Sequence, residues 1–91
     1  MTLSKNELAQ ARDVVARVLE ELRLDAYLFE VEPLAGQWQI RVECAVEGGW
    51  ETCRLSAEKE YLLRGVDDTV VHEVLIDNWR EALAACRRRR D

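Results

Sequence analysis

Cys44 and Cys53 are the two residues whose types and spacing are best suited to chemistry. Each lies in a run of alternating apolar and polar residues, and the two runs flank Gly48-Gly49, a dipeptide typical of a tight two-residue β-turn. A turn closed on these two glycines places Cys44 directly opposite Cys53, with both side chains on the apolar face. Two thiols in this position can form a cross-strand disulfide, act as a redox couple or supply half of a metal site.

The same pair also has a purely structural interpretation, because cysteine is a common small core residue. No lysine or histidine lies in the local pattern to lower a thiol pKa. A metal site would need further ligands, and His72 is the only histidine in the chain. We therefore expect inert core thiols and keep a redox or metal-linked role of Cys44 and Cys53 as the alternative. On oxidation we expect these two to pair, while Cys86 stays free.

The other polar candidates are weaker. His72 lies near the start of the last predicted helix with no nucleophile to activate, so we expect it at the surface or boundary. Four carboxylates surround the short helix, but their spacing matches no calcium loop. They are Glu58, Glu60, Asp67 and Asp68. The sequence thus predicts a non-enzymatic protein with no catalytic residue, no metal and no cofactor.

The outer face of the hairpin is the predicted interaction surface. It is polar, no predicted element covers it, and it carries Trp50 beside the turn. An exposed tryptophan is a frequent interface anchor, although it can also simply cover a turn. The predicted interaction residues are Trp50, Arg41, Arg54, Glu30, Glu43 and Leu28.

Two cross-strand ion pairs support a predicted order of three strands. Glu30, in an alternating run before the hairpin, falls opposite Arg41, and the glycine turn sets Glu43 opposite Arg54. Because each pair joins a different pair of strands, they favour an antiparallel meander with the first hairpin strand in the middle.

The first helix is predicted over residues 5–23, where apolar residues recur at helical spacing after a capping box of Ser4 and Glu7. An alternating strand over residues 27–32 follows, and Pro33 ends its pairing. The apolar stripe of the helix is Leu8, Ala11, Val15, Val18, Leu19 and Leu22.

Two further helices follow the sheet. Ser56 is predicted to cap a short helix over residues 57–64, which Gly65 ends in the left-handed conformation before Val66 turns back. Asp67 or Asp68 caps the last helix. The apolar stripe of that helix is Val71, Val74, Leu75, Trp79, Ala82, Leu83 and Cys86, and it runs into Arg87–Arg90.

These elements predict an α+β fold, a two-layer sandwich of order α-β-β-β-(short α)-α. A three-stranded antiparallel meander carries both long helices on one face, and its other face is open to solvent. Residues 1–86 form one domain, and residues 87–91 form a basic C-terminal tail that lies beyond the apolar stripe.

The charge disfavours nucleic acid as a partner. The formal net charge is −5, and residues 1–86, with nine basic and seventeen acidic residues, carry −8. Such a surface repels phosphate backbones. Weak nucleic-acid binding through the arginine tail is therefore only the third functional hypothesis. The apolar runs are too short for a membrane span or a signal peptide. We therefore expect a cytoplasmic protein with reduced thiols and no membrane partner.

The order of helix, three antiparallel strands and helix resembles that of double-stranded RNA-binding domains. That family places a lysine cluster at the start of its last helix, where this chain has Val66-Asp67-Asp68-Thr69-Val70, so RNA binding does not carry over. The small size, acidity and element order are also similar to bacterial type III secretion chaperones. The second resemblance implies dimerisation and a protein partner.

Taken together, these patterns favour a small acidic protein-interaction module acting as an adaptor, a chaperone or an inhibitor. Its expected partner is a protein with a basic or mixed surface, or a second copy of the chain.

Overall fold

A three-stranded antiparallel sheet, with its strands side by side in chain order, carries the helices on one face. The computed structural model describes residues 5–65 and 67–89. The predicted α+β architecture and its element order are confirmed. The elements are α1 (Lys5–Leu22), β1 (Tyr27–Leu34), β2 (Gln37–Val46), β3 (Gly49–Glu58), α2 (Lys59–Arg64) and α3 (Thr69–Ala82).

The core lies between the inner face of the sheet and the helices. Alternate side chains of β2 are fully buried there, namely Trp38, Ile40, Val42 and Cys44. The α1 stripe packs against them as predicted, with Leu8 only partly buried. Val14, which the predicted stripe leaves out, is also fully buried. The predicted Ser4 cap of α1 lies outside the described residues.

The predicted pairing of β1 with β2 is confirmed, with Glu30 opposite Arg41. The pairing extends to Leu34, beyond the predicted end of the strand at Pro33. Proline is tolerated there because β1 is an edge strand. The connecting turn is Ala35-Gly36, and both residues have positive φ, as a type I′ hairpin turn requires.

The predicted turn of the second hairpin is wrong by one residue. Val46 pairs with Gly49, so the turn residues are Glu47 and Gly48. Gly48 has a φ of +89°, and this single left-handed position suits a turn that needs glycine only at its second central residue. Each β2 residue therefore faces a β3 residue two positions earlier than predicted. A shift of two leaves every side chain on its predicted face.

The predicted start of the short helix is also wrong. Ser56 and Ala57 continue β3, where Ala57 pairs with Trp38. The helix begins at Lys59 after Glu58, which makes no side-chain cap. The indole Nε1 of Trp38 donates a 3.2 Å hydrogen bond to the Lys59 carbonyl and thereby ties the start of α2 to β2.

Gly65 ends α2 in the right-handed conformation, with φ −62°, so the predicted left-handed cap is wrong. The structure gives a different reason for glycine. A Cβ at this position would lie 3.0 Å from Cγ1 of Val14 and 3.4 Å from Cδ1 of Leu75. The missing side chain lets α2 approach both long helices. Val66, predicted to turn back onto α2, lies outside the described residues.

The last helix begins as predicted but ends early. Asp68 is the cap, and its carboxylate accepts hydrogen bonds from the N–H groups of Val70 at 3.0 Å and Val71 at 3.2 Å. Two predicted stripe members, Val74 and Ala82, are exposed. The buried face of α3 is narrower than the predicted stripe, because it follows a single row of residues spaced four apart. These residues are Val71, Leu75, Trp79 and Leu83.

Candidate functional site

All three cysteines of the chain meet on the inner side of the sheet. Cys44 on β2 is fully buried, Cys86 after α3 is 4% exposed, and Cys53 on β3 is partly buried. Their three sulfur atoms lie within 4.8 Å of one another. Cys44 and Cys86 form a disulfide with a Cα–Cα distance of 5.6 Å, and Cys53 is a free thiol. Among the described residues, these cysteines are the only converging group of three or more potential metal ligands.

The predicted pairing of Cys44 with Cys53, with Cys86 left free, is therefore wrong. The shifted hairpin register places Val42 opposite Cys53 and Glu51 opposite Cys44. The early end of α3 then allows the chain to turn and bring Cys86 to Cys44. The expectation of reduced thiols fails for the same two residues.

Cys53 has the chemistry of a protected rather than an activated thiol. Burial raises its pKa, and the nearby charge of Glu51 raises it further. Both effects favour the neutral thiol, so little thiolate is present at neutral pH. The absence of an activating cation in the sequence pattern had predicted this low reactivity.

The segment that follows Cys86 is attached to the sheet by its backbone. The N–H of Arg87 donates a 2.8 Å hydrogen bond to the carbonyl of Ala45, the residue after Cys44. The N–H of Asp25 donates to the carbonyl of Arg87 at 2.8 Å, and the N–H of Arg89 donates to that of Arg23 at 2.6 Å. Over residues 87–89 the chain thus forms a short antiparallel bridge rather than a free tail.

Side chains support the same attachment. The guanidinium of Arg89 lies 3.0 Å from a carboxylate oxygen of Glu20 on α1, and this hydrogen bond raises the pKa of Arg89. The pKa of neighbouring Tyr27 is raised by burial and then by the charge of Glu20. The predicted continuation of α3 into the arginines is wrong, because these contacts require the chain to leave the helix. Arg90 lies outside the described residues.

The outer face of the sheet is open, as predicted. Trp50 is 62% exposed and Leu28 is 66% exposed. Trp50 lies opposite Ala45 of β2, and the small alanine side chain can cover little of the indole. The helices pack on the other face, so Trp50 and Leu28 present apolar surface to solvent.

One of the two predicted ion pairs on this face is present. Arg41 lies 2.7 Å from a carboxylate oxygen of Glu30. The predicted pair of Glu43 with Arg54 is wrong, because the register places Thr52 opposite Glu43 and Arg54 opposite Arg41. Among the described residues Arg54 has no ion-pair partner. The pairing of Arg54 with Arg41 is a like-charge pair, which is slightly unfavourable, and the Glu30 carboxylate beside Arg41 offsets part of the repulsion.

Two of the remaining candidates, His72 and Asp68, have structural partners. His72 lies 2.9 Å from a carboxylate oxygen of Glu21, on the boundary between α3 and α1. Asp68 caps α3 and also lies 3.4 Å from Arg64. Asp67 is exposed beside it, Glu60 is exposed on α2, and Glu58 ends β3.

Sequence reasoning missed Cys86 and the segment after it as part of the site. Cys86 ends the predicted apolar stripe, which marked it as a core residue. No local signal indicated that its partner would be a strand residue 42 positions earlier.

Comparison with protein-family models, with curated proteins and with solved structures finds no match. The two resemblances in element order gain no support from these comparisons. Within the described residues no helix is long and apolar enough to cross a membrane.

Proposed function

We propose that this chain is a non-enzymatic protein-interaction module that binds its partner with the outer face of the sheet. The observation that carries the proposal is the 62% exposure of Trp50 on a face opposite all the described helices. A large aromatic side chain held on a rigid strand offers contact area at little entropic cost.

The charges around Trp50 define the kind of partner. Arg54 is available to a carboxylate, whereas Glu43 and the net charge of −5 favour cations. A protein surface of mixed charge with an apolar centre fits this pattern. β1 and β3 are the two edges of the sheet, so an added strand from a partner or a second copy of the chain can extend it.

The test compares Trp50→Ala with Val70→Ala, because Val70 is a 69% exposed apolar residue on α3, away from the sheet. Sedimentation velocity over a range of protein concentrations measures self-association, and affinity capture from a cell extract measures partner binding. We expect Trp50→Ala alone to lose self-association or a captured partner. Equal behaviour of both variants and the parent protein would refute the proposed surface.

A second candidate function is thiol redox chemistry at the cysteine cluster, which the position of Cys53 beside a disulfide favours. Attack by the Cys53 thiolate on Cys44 breaks the bond to Cys86 and forms a new bond between Cys53 and Cys44. The released Cys86 thiolate takes up the proton that Cys53 lost, so no external oxidant is needed. Disulfide mapping after incubation at alkaline pH and acid quenching tests this exchange. A map with only the Cys44–Cys86 bond would exclude it.

A further inference from the structure

We propose that the reduced form of the cysteine cluster binds one Cu(I) ion through the sulfur atoms of Cys44, Cys53 and Cys86. This site extends beyond the interaction function proposed above and does not depend on it. Its basis is the convergence of three soft ligands from three separate parts of the fold.

The three sulfur atoms lie near enough to one another to be brought around a single ion. With a metal–sulfur distance of about 2.3 Å, three sulfurs around a trigonal ion lie about 4.0 Å apart. The three sulfur atoms here already lie within 4.8 Å of one another. Cys44 and Cys86 are bonded to each other in the structure, so their sulfur atoms have to move apart after reduction to admit the ion.

The backbone keeps the ligands together without the disulfide. The hydrogen bond from Arg87 to Ala45 joins the residues that directly follow Cys86 and Cys44. Cys53 is fixed on β3, whose pairing with β2 places Val42 opposite it, two residues from Cys44. The site is therefore preorganised, which reduces the entropic cost of binding.

The donor set and its burial select the kind of ion. Thiolates favour soft ions such as Cu(I), and hard cations such as Mg²⁺ require oxygen ligands. Zn²⁺ usually takes four ligands, but no fourth side chain converges with the cysteines among the described residues. Burial of Cys44 and Cys86 disfavours a water molecule as the fourth ligand. Three-coordinate Cu(I) fits this environment best.

Binding is gated by the redox state of the same sulfurs. A dithiol or phosphine reductant supplies two electrons, two protons complete the Cys44 and Cys86 thiols, and the reductant is oxidised. Cu(I) then displaces thiol protons as it binds, so affinity increases with pH. The oxidised protein has only the Cys53 thiol to offer.

The experiment titrates the reduced protein with Cu(I) under anaerobic conditions, in competition with a chromogenic Cu(I) chelator. We expect a 1:1 complex in native mass spectrometry and a thiolate-to-copper absorption band. Alkylation of the complex should show all three thiols protected. Two protected thiols, or no competition with the chelator, would overturn the proposal without recourse to any variant.

Cys53→Ala tests the third ligand, because Cys53 is only partly buried and lies outside the disulfide. Loss of a ligand should weaken Cu(I) binding by at least about 100-fold, which is the upper end of what loss of a ligand's supporting partner costs. Thr52→Ala, the neighbouring exposed position on β3, is the matched control and should bind like the parent protein. Unchanged affinity in Cys53→Ala would leave a two-sulfur site and refute the three-sulfur one.

Discussion

The N–H of Arg87 donates a 2.8 Å hydrogen bond to the carbonyl of Ala45, one residue beyond the disulfide that joins Cys86 to Cys44. A covalent bond and a backbone hydrogen bond thus attach the end of the chain to the middle strand at adjacent positions. The C-terminal segment therefore adds backbone hydrogen bonds at that end of the sheet.

Replacing Cys86 by alanine in the oxidised protein should lower the free energy of unfolding by about 4 kcal/mol. The disulfide closes a loop with a sequence separation of 42, and this value is the loop-closure entropy for that length. Denaturant titration measures the difference. In excess reductant the two proteins should differ by only about 1 kcal/mol, because only a small buried group is then lost. An equally large difference in reductant would contradict a stabilising disulfide.

Ending the chain at Cys86 should cost about 2–4 kcal/mol, since it removes three backbone hydrogen bonds worth roughly 1 kcal/mol each. A free tail would have cost about 1 kcal/mol or less. The control is the double variant Arg87→Gln, Arg88→Gln, which keeps the backbone and changes only exposed charges. Thermal unfolding should separate the truncation from this control. A truncated protein as stable as the control would mean that the bridge contributes nothing.

Gly65→Ala should destabilise the protein by roughly 1–3 kcal/mol, because the new Cβ meets Val14 at 3.0 Å and Leu75 at 3.4 Å. Backbone strain contributes little, since the φ of −62° suits any residue. Gly49→Ala is the control, because its Cβ would meet nothing within 4 Å. Denaturant midpoints compare the two variants. A more stable Gly65→Ala protein would show that the helices separate at no cost.

Trp50→Ala should change stability by about 1 kcal/mol or less, as expected for an exposed side chain. Trp38→Ala should cost about 3–5 kcal/mol, because the Trp38 indole is fully buried and donates a hydrogen bond to Lys59. Iodide quenching of tryptophan fluorescence gives an independent readout. Removal of Trp50 should abolish most of the quenching. Strong quenching in Trp50→Ala would show that Trp38 or Trp79 is accessible.

Alkylation of Cys53 should have a rate–pH midpoint above that of an ordinary thiol, because burial and Glu51 raise the pKa of Cys53. Iodoacetamide kinetics at several pH values measure this midpoint. Glu51→Gln should move it down, and Glu47→Gln, at the turn, is the control. An unchanged midpoint in Glu51→Gln would show that Glu51 does not raise the pKa of Cys53.

The raised pKa of Cys53 also makes the free energy of unfolding depend on pH, because the folded state favours the neutral Cys53 thiol more strongly than the unfolded state does. This stabilisation is fully present below the unfolded pKa and is lost as pH rises through the folded pKa. A gain in stability over that alkaline window would contradict the direction of the shift.

The sequence by itself determined the element order, the face of each strand and the β1–β2 register. Alternation in β2 determined that Trp38, Ile40, Val42 and Cys44 point inward, because one face of the sheet must be buried. The same alternation determined the exposure of Trp50. These features depend on local periodicity, and a two-residue shift of register cannot change them.

Only the tertiary structure decided which cysteines meet. Two adjacent glycines allow more than one turn, and local sequence did not indicate that Gly48 alone would take the left-handed conformation. The residue at which α3 ends could not be predicted from the sequence either, because Leu83 and Cys86 continue its apolar stripe. The helix ends at Ala82 because disulfide formation with Cys44 and the backbone pairing of Arg87 require the chain to leave it. These are contacts between residues far apart in the chain, and such contacts override helix propensity.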